Sequence, residues 1–242
     1  LNQPPQYFPE NVKMNKRINT TFDEIISNGL NPISPERFKA IINNDNPLVI
    51  DCRKPNEFAK SHIPNSLFIG IDGGFAPWAG TVIDNLTQKI LLVGDETRIQ
   101  EAITRLSRVG IDNTIGYLKG GISAWETHNY ETSRVRSIDA ASFENEDLKN
   151  TDIIDVRNNN EYENGHLKQS TFLPLDNISA NISNYKKESS YYIHCQGGYR
   201  SMIACSILKS KGIHNLTDIK GGFVAIESNT NLQIEKEQLL AQ

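Results

Sequence analysis

The chain contains an internal repeat, and this repeat limits the fold more than any other feature of the sequence. LVIDCRKPNEFAKSHIPNSLFIGID at 48–72 resembles TDIIDVRNNNEYENGHLKQSTFLPLD at 151–176. Further along each copy, GYLKGGISAWE at 116–126 resembles TDIKGGFVAIE at 217–227. Two copies of about 100 residues therefore lie in tandem, and each is large enough to bury its own core.

The repeat also predicts the domain boundaries. We expect one domain at 33–128 and a second at 136–235, joined by a short polar linker at 129–135. Residues 1–32 open with LNQPPQYFPENV, which is rich in Pro and Asn and has no clear period, so they predict a linker or the tail of an upstream domain. Residues 236–242 predict a C-terminal tail.

Short apolar runs alternate with helical stretches inside each copy, and this alternation is typical of an α/β domain with a mostly parallel, buried sheet. In the second copy the predicted strands are DIIDV (152–156), STFLPL (170–175), YYIHC (191–195) and LTDI (216–219). The predicted helices are 140–148, 158–164, 177–185 and 199–211.

Composition excludes several classes of protein. The formal net charge of −4 gives no reason to expect a nucleic-acid partner. Because no run of roughly 18 apolar residues is present, we expect no membrane span. Three cysteines are too few and too scattered for a disulfide framework, which favours a reducing, cytoplasmic compartment.

The stretch HCQGGYRS at 194–201 predicts a reactive thiol. Cys195 is the last residue of a predicted strand, and ligands in α/β folds bind at the carboxyl ends of the strands. The two glycines that follow allow a tight turn, whose backbone amides, together with the start of the next helix, favour a thiolate. Arg200 adds a fixed charge for an oxyanion. The plainer interpretation is a buried cysteine before an ordinary strand–helix turn.

The second copy resembles the rhodanese family of sulfurtransferases. The resemblance rests on DVR at 155–157, EY at 161–162 and GHL at 165–167, on the C-x-x-G-x-R loop at 195–200 and on KGG at 220–222. It implies an α/β fold of two tandem rhodanese-like domains, each with a mostly parallel five-stranded sheet flanked by helices.

The resemblance also implies a persulfide enzyme. The Cys195 thiolate would take a sulfur atom from thiosulfate or a thiol persulfide of the glutathione type, release sulfite or a thiol, and pass the sulfur to an acceptor. The Arg200 side chain would bind the donor's oxyanion or help to hold the loop. The Asp, Arg, Glu and His positions of the DVR element are structural in the family and are left out of the site. The amides that would cradle the sulfur are those of Gln196, Gly197, Gly198, Tyr199 and Arg200.

Two other functions stay open. Both copies could form a scaffold in which Cys195 merely senses persulfide. A cysteine-dependent phosphatase built on a similar fold is the enzymatic rival, because such enzymes often carry His-Cys, as at His194. Their loops have five residues between Cys and Arg, whereas four separate Cys195 from Arg200 here. We expect the His194 side chain to point away from that of Cys195.

The first copy lacks the chemistry of the second. Val93 or Gly94 falls where the cysteine should be, and Asp95 and Glu96 add negative charge where an anionic donor would enter. We expect a non-catalytic scaffold in which Asp95 caps the following helix. Cys52 aligns with a core valine, so a core role is expected and a second sulfur relay is the open alternative.

A narrower resemblance concerns FAPWAGTVID at 75–84 and YFPENVKMNK at 7–16. With the unequal pair of domains, it is similar to bacterial fusions of a metallo-β-lactamase-fold persulfide dioxygenase with tandem rhodanese domains. Residues 1–32 would then end that upstream domain, where an iron site could lie, and the role would be sulfide and persulfide detoxification. The histidines form no H-x-H-x-D-H pattern, so no metal or other cofactor is expected in this chain. A homo-oligomer is left open.

Overall fold

The computed structural model describes residues 21–148 and 151–236 and separates into two compact units. The division falls between Ser133 and Arg134, inside the predicted linker. Much of the predicted N-terminal tail, residues 1–20, and the C-terminal residues 237–242 lie outside the described residues.

The first unit is a five-stranded parallel sheet with helices between its strands. Its strand order is β1-β5-β4-β2-β3. The strands are β1 (Pro32–Ile33), β2 (Leu48–Asp51), β3 (Leu67–Phe68), β4 (Ile90–Val93) and β5 (Thr114–Leu118). The helices are α1 (Phe22–Gly29), α2 (Pro35–Asp45), α3 (Pro55–Lys60), α4 (Phe75–Val82), α5 (Ile99–Ser107) and α6 (Gly121–Thr127).

The second unit repeats this arrangement, with strand order β6-β11-β10-β7-β9 in a parallel sheet. An antiparallel pair, β8 with β12, stands beside that sheet. The strands are β6 (Arg136–Ile138), β7 (Asp152–Asp155), β8 (His166–Leu167), β9 (Ser170–Phe172), β10 (Tyr191–His194), β11 (Leu216–Ile219) and β12 (Ile234–Glu235). The helices are α7 (Ala140–Glu144), α8 (Asn159–Glu163), α9 (Ile178–Asn181), α10 (Tyr199–Ser210) and α11 (Gly222–Asn229).

The predicted fold class is confirmed: the chain is α/β, with two five-stranded parallel sheets flanked by helices. The central strands are buried along their length because helices cover both faces of a parallel sheet. All four residues of β4, ILLV, are buried, and so are all four residues of β10 and of β11. Among the helices that the structure describes, none has the length and apolar character needed to cross a membrane.

Residues 21–33 differ from the expected tail. Thr21 and Glu24 form a capping box that starts α1, and Ile25 is buried. Strand β1 then adds to the edge of the first sheet by pairing with β5. The predicted tail at 1–32 therefore includes a helix and the start of an edge strand, because a short capped helix follows the Pro- and Asn-rich composition that suggested a linker.

The helices of the second unit are shorter than their sequence pattern predicts. The expected helix at 140–148 ends at Glu144, and the expected helix at 177–185 is the four-residue α9 between two 3₁₀ turns. By contrast, α10 covers twelve residues, close to the predicted helix at 199–211, and Gly212 takes a positive φ of 82° just beyond it.

The register of the second sheet brings polar residues together at the carboxyl ends of its strands. Asp155, at the end of β7, lies beside His194 at the end of β10, and Asp218 of β11 lies beside Ile193. Cys195 follows directly after His194. Because the strands are parallel, their carboxyl ends meet where the loop of Cys195 begins.

Candidate active site

Cys195 occupies the turn between strand β10 and helix α10. Gly198 adopts a left-handed conformation with φ 93° and stands immediately before the first helical residue, Tyr199. This backbone conformation is costly for residues with a Cβ, which explains the glycine at this position. The turn therefore brings the thiol and the amino end of a twelve-residue helix together, as the sequence predicts.

The sulfur atom of Cys195 lies inside the turn. The Gly198 amide donates a hydrogen bond to Sγ at 3.1 Å, and the Ser201 hydroxyl lies 3.6 Å from Sγ. Gly198 supplies one of the five predicted amides of the cradle. Cys195 is only 1% exposed, whereas the neighbouring Gly197 is exposed. The thiol is therefore more enclosed than a surface loop would make it.

The first turn of α11 fastens this loop through the main chain. The amide of Phe223 donates to the carbonyl oxygen of Cys195 at 2.7 Å, and the amide of Val224 donates to that of Gln196 at 3.2 Å. Gly222 has φ 57°, and a Cβ placed there would stand 2.2 Å from the Cys195 carbonyl oxygen. Only glycine permits this approach. The sequence marked KGG as a family motif without showing this contact.

Arg157 is a buried support for the loop. Its guanidinium pairs with Asp155, with Nη2 to Oδ2 at 2.6 Å, and both side chains are almost completely buried. Nη1 donates to Oε1 of Gln196 at 3.1 Å, and the guanidinium carbon lies 3.9 Å from the ring centroid of Phe223. The structural role that the family resemblance implies for the Asp and Arg of the DVR element thus extends to the side chain of a loop residue.

Arg200 pairs with a residue that the sequence analysis left out of the site. Its two terminal nitrogens each donate to one carboxylate oxygen of Glu161, both at 2.6 Å. Burial is the largest single influence and raises the pKa of Glu161, but the hydrogen bonds from Arg200 and from the Asn158 amide, together with the charges of Arg200 and Arg157, outweigh it, so the pKa falls below its usual value. Of the two predicted roles of Arg200, this pairing corresponds to holding the loop.

His194 lies behind the loop rather than in it. The residue is fully buried, its ring lies near that of Phe223, and Nε2 is 3.8 Å from Oδ2 of Asp155. Burial lowers the pKa of His194, so the imidazole is neutral. A neutral ring beside the Asp155–Arg157 pair fits the expectation that His194 is a strand residue.

The buried carboxyl group of Asp218 is separated from Cys195 by the side chain of Ser201. The hydroxyls of Ser201 and Ser137 donate to its two oxygens at 2.6 and 2.8 Å. Burial raises the pKa of Asp218 to about 6. The sequence analysis missed Ser201 and Asp218, although an aspartate inside the apolar run LTDI was a signal.

The raised pKa of Asp218 predicts a pH-dependent stability. The folded protein binds this proton more tightly than the unfolded chain, whose carboxyl has the ordinary value of 3.8. The resulting stabilisation is complete below that value and is lost as pH rises through about 6, a change on the order of 2–3 kcal/mol. We expect Asp218→Asn to remove this loss, so that in denaturant unfolding the variant gains on the wild type as pH rises from about 4 to about 6 and keeps that gain at higher pH. Parallel pH dependence in both proteins would contradict the assignment.

The first unit has no thiol at the corresponding position. Asp51 pairs with Val93 as Asp155 pairs with His194, so Gly94 takes the place of Cys195. This register settles which of the two predicted residues replaces the cysteine. The carboxylate of Glu96 accepts the amide of Gly120 at 2.7 Å.

Two further expectations, for Asp95 and for Cys52, concern the carboxyl ends of the strands in the first sheet. Asp95 caps the 3₁₀ turn at 96–98 by accepting the Thr97 amide at 2.9 Å, which is the plainer of its two predicted roles. An open cavity of about 420 Å³ lies here, with Cys52 in its lining. Cys52 itself is only 4% exposed, and burial raises the pKa of its thiol well above the usual range, which disfavours the thiolate that a sulfur relay needs.

Cys205 lies on α10 and is completely buried. Burial raises the pKa of this thiol as well.

The profile of the rhodanese-like domain family matches residues 34–128 and 140–229, which together make up most of the chain. The chain belongs to the rhodanese family. One match falls in each unit, so the protein is a tandem rhodanese. The match to the first unit shows that the rhodanese fold is kept there without the cysteine.

Three similar proteins each match less than half of this chain. The chain is 32% identical over 71 residues to the uncharacterized protein YqhL of Bacillus subtilis, and the match covers 29% of this chain and 56% of that protein. It is 28% identical over 93 residues to a sulfurtransferase of Allochromatium vinosum, covering 38% of this chain and 87% of that protein. The crystal structure of a rhodanese-like domain protein from Staphylococcus aureus shares 30% identity with a TM-score of 0.38, covering 42% of this chain and all of that one.

Proposed function

We propose that the protein is a sulfurtransferase that carries sulfane sulfur as a persulfide on Cys195. The observation that carries this proposal is the position of Sγ, which receives the Gly198 amide at 3.1 Å in a turn that leads into helix α10. Backbone amides and the positive end of a helix stabilise a negatively charged sulfur without a metal or an organic cofactor. The sulfurtransferase among its relatives supports the same reading.

The reaction has two steps with the thiolate of Cys195 as nucleophile. In the first, Sγ attacks the outer sulfur of thiosulfate, a sulfur–sulfur bond forms on the enzyme, and the bond to the sulfonate sulfur breaks so that sulfite leaves with the electron pair. A thiol persulfide reacts in the same way and releases a thiolate. In the second step an acceptor such as cyanide or a thiolate attacks the outer sulfur, and the Cys195 thiolate leaves.

The enclosure of Cys195 favours donors with a narrow sulfur terminus. The residue is 1% exposed, so the donor must bring one terminal sulfur atom into the turn while its larger part stays outside. Arg200 offers a charge at this position, but Glu161 neutralises it through two hydrogen bonds. A thiol persulfide needs no oxyanion contact, so this pairing favours it over thiosulfate as the preferred donor.

The wider setting is also a proposal. The first unit would act as a scaffold, since Gly94 takes the place of the nucleophile. Resemblance to persulfide dioxygenase fusions supports a cytoplasmic role in sulfide and persulfide detoxification, beside an upstream metallo-β-lactamase-like domain that would hold the iron.

Intact-mass analysis after treatment with thiosulfate or a glutathione persulfide tests the proposal. We expect the protein to gain one sulfur atom and to lose it to cyanide or a thiol with repeated turnover. Cys195→Ser should gain nothing, whereas Cys52→Ser, which removes a buried thiol from the first unit, should behave as the wild type. Sulfur gain in Cys195→Ser would contradict the proposal. Gain without turnover would indicate a persulfide sensor, and hydrolysis of an aryl phosphate without sulfur gain would indicate a phosphatase.

A further inference from the structure

A short chain of hydrogen bonds joins the sulfur of Cys195 to a buried carboxyl group. Sγ lies 3.6 Å from Oγ of Ser201, and Oγ of Ser201 lies 2.6 Å from Oδ1 of Asp218. The second carboxyl oxygen, Oδ2, accepts the hydroxyl of Ser137 at 2.8 Å. These groups come from β6, β11, α10 and the turn after β10. The fold, and not proximity in the sequence, therefore brings the hydrogen-bonded groups together.

Asp218 is enclosed by groups that leave its charge poorly compensated. Ser137 faces it from β6, and Ser201 and the thiol of Cys205 face it from α10. Lys220, two residues further along its own segment, acts on it through space. Asp218 is 3% exposed, and burial raises its pKa to about 6. An ionised carboxylate in this position is therefore a ready acceptor for a proton.

The orientation of the Ser201 hydroxyl determines whether its oxygen can accept a proton from the Cys195 thiol or its O–H group donates to the sulfur. When Asp218 is ionised, Ser201 donates to the carboxylate and its oxygen faces the S–H group of Cys195. If the thiol proton passes to the Ser201 oxygen while the Ser201 proton passes to Asp218, the products are a thiolate and a neutral carboxylic acid. Ser201 then donates its new proton to the thiolate. Two protons each move one place, which amounts to the transfer of one proton from sulfur to carboxylate, and the net charge of the group stays at −1. The charge leaves the carboxylate for a sulfur that also receives the Gly198 amide.

We propose that Asp218, acting through the hydroxyl of Ser201, accepts the proton of the Cys195 thiol and so generates the nucleophile. Ser201 is a catalytic residue in this step, because its hydroxyl contacts the reacting sulfur, whereas Asp218 acts through Ser201 and is a positioning residue. This inference deepens the proposed sulfurtransferase function and rests on it for its purpose, although the proton transfer is a property of the protein alone.

The first unit offers an independent comparison. The equivalent KGG turns, at 119–121 and 220–222, place Tyr117 where the second unit has Asp218. In the sheets, Tyr117 pairs with Pro32, as Asp218 pairs with Ser137. The unit without the cysteine therefore lacks the carboxyl group and the serine that holds it as well. This joint absence is expected if these groups serve the thiol and is not required by the fold, which both units share.

The test is a pH titration of the Cys195 thiolate by its ultraviolet absorbance, taken as the difference between each protein and the same protein carrying Cys195→Ser. No sulfur donor is needed, and the subtraction removes Cys52 and Cys205. We expect two steps in the wild type: thiolate first forms as Asp218 loses its proton near pH 6, and the rest forms at higher pH. Such coupled behaviour is normal for two groups that share a proton.

The variants separate proton transfer from a structural role. Ser201→Ala keeps the carboxyl group but removes the hydroxyl that donates to the thiolate, so the amplitude of the first step, and with it the thiolate at neutral pH, should fall roughly tenfold, the effect of one hydrogen bond to a charged group. Asp218→Asn should leave a single step, because only the thiol still titrates. Ser137→Ala is the matched control: it removes the other hydroxyl from Asp218, so both steps should remain and the first should move to higher pH.

Two results would overturn the inference: a single step in the wild type, or an unchanged first step in Ser201→Ala or Asp218→Asn. The wild-type titration decides the matter even if a variant fails to fold. Sulfur transfer from thiosulfate and from a glutathione persulfide, measured on the same samples, keeps the two proposals apart. Turnover with a single-step titration would remove the proton relay alone, and a two-step titration without turnover would remove the sulfurtransferase alone.

Discussion

Gly222→Ala is expected to reduce sulfur transfer by Cys195 about a hundredfold or more. A Cβ at this position would lie 2.2 Å from the Cys195 carbonyl oxygen and 2.8 Å from the carbonyl carbon of Gln196. Both contacts are with backbone, so the loop has to shift, and a displacement of about 1 Å at a reacting group can cost about two orders of magnitude in rate. The measurement is the turnover of thiosulfate with cyanide, together with the unfolding midpoint.

The first unit supplies a matched control for this prediction. Gly121 has φ 58°, almost the same as the 57° of Gly222, but a Cβ there would lie 3.8 Å from the nearest atom, the carbonyl oxygen of Gly94. Gly121→Ala therefore introduces the same backbone strain, about 1–2 kcal/mol, without a collision. We expect it to lose stability and keep its sulfur transfer. Equal turnover in the two variants would show that the close approach of α11 does not set the shape of the loop.

Arg157→Leu is expected to cost about 3–5 kcal/mol in the free energy of unfolding, because it leaves the carboxylate of Asp155 buried without its partner. The two side chains are 1% and 0% exposed, and the guanidinium also donates to Gly165 and Gln196. Sulfur transfer should fall as well, since the side chain of Gln196 loses its support. Denaturant unfolding and turnover measure the two effects.

The double variant Asp155→Asn/Arg157→Leu tests the cause of this loss. An asparagine carries no charge, and its oxygen still accepts the amide of residue 157, as Oδ1 of Asp155 does at 3.0 Å. If the stranded charge accounts for the loss, the double variant should recover part of the stability despite carrying one more substitution. A double variant less stable than Arg157→Leu would show instead that the packing of the guanidinium against Phe223 dominates.

The sequence predicts the fold well because its signals are local and occur twice. Alternating apolar runs and helical stretches predict the order of elements, and the repeat predicts two similar domains. Helix α1 lies inside the predicted tail because the Pro- and Asn-rich composition of residues 1–32 indicated a linker, whereas the T-x-x-E capping pattern at Thr21 starts a helix. The broken helix near residue 180 shows that tertiary packing can override a helical pattern.

The site is predictable only where its groups are close in sequence. The loop from Cys195 to Arg200 is contiguous, so its thiol, glycines and helix start can be read directly. Ser201 and Asp218 meet only because β11 lies beside β10, and no spacing in the sequence announces that contact. The same holds for Glu161, which reaches Arg200 from a different helix.

The attachment of the Cys195 loop to α11 has a consequence for how the specificity of the proposed site can change. The bonds from Phe223 and Val224 end on carbonyl oxygens of Cys195 and Gln196, so they persist whatever side chains the loop carries. Gly197 is exposed, and a Cβ added there would meet no atom within 4 Å. New side chains at this residue can therefore alter which molecules approach the thiol while the cradle stays intact, which makes position 197 a natural place for evolution or engineering to select another sulfur donor.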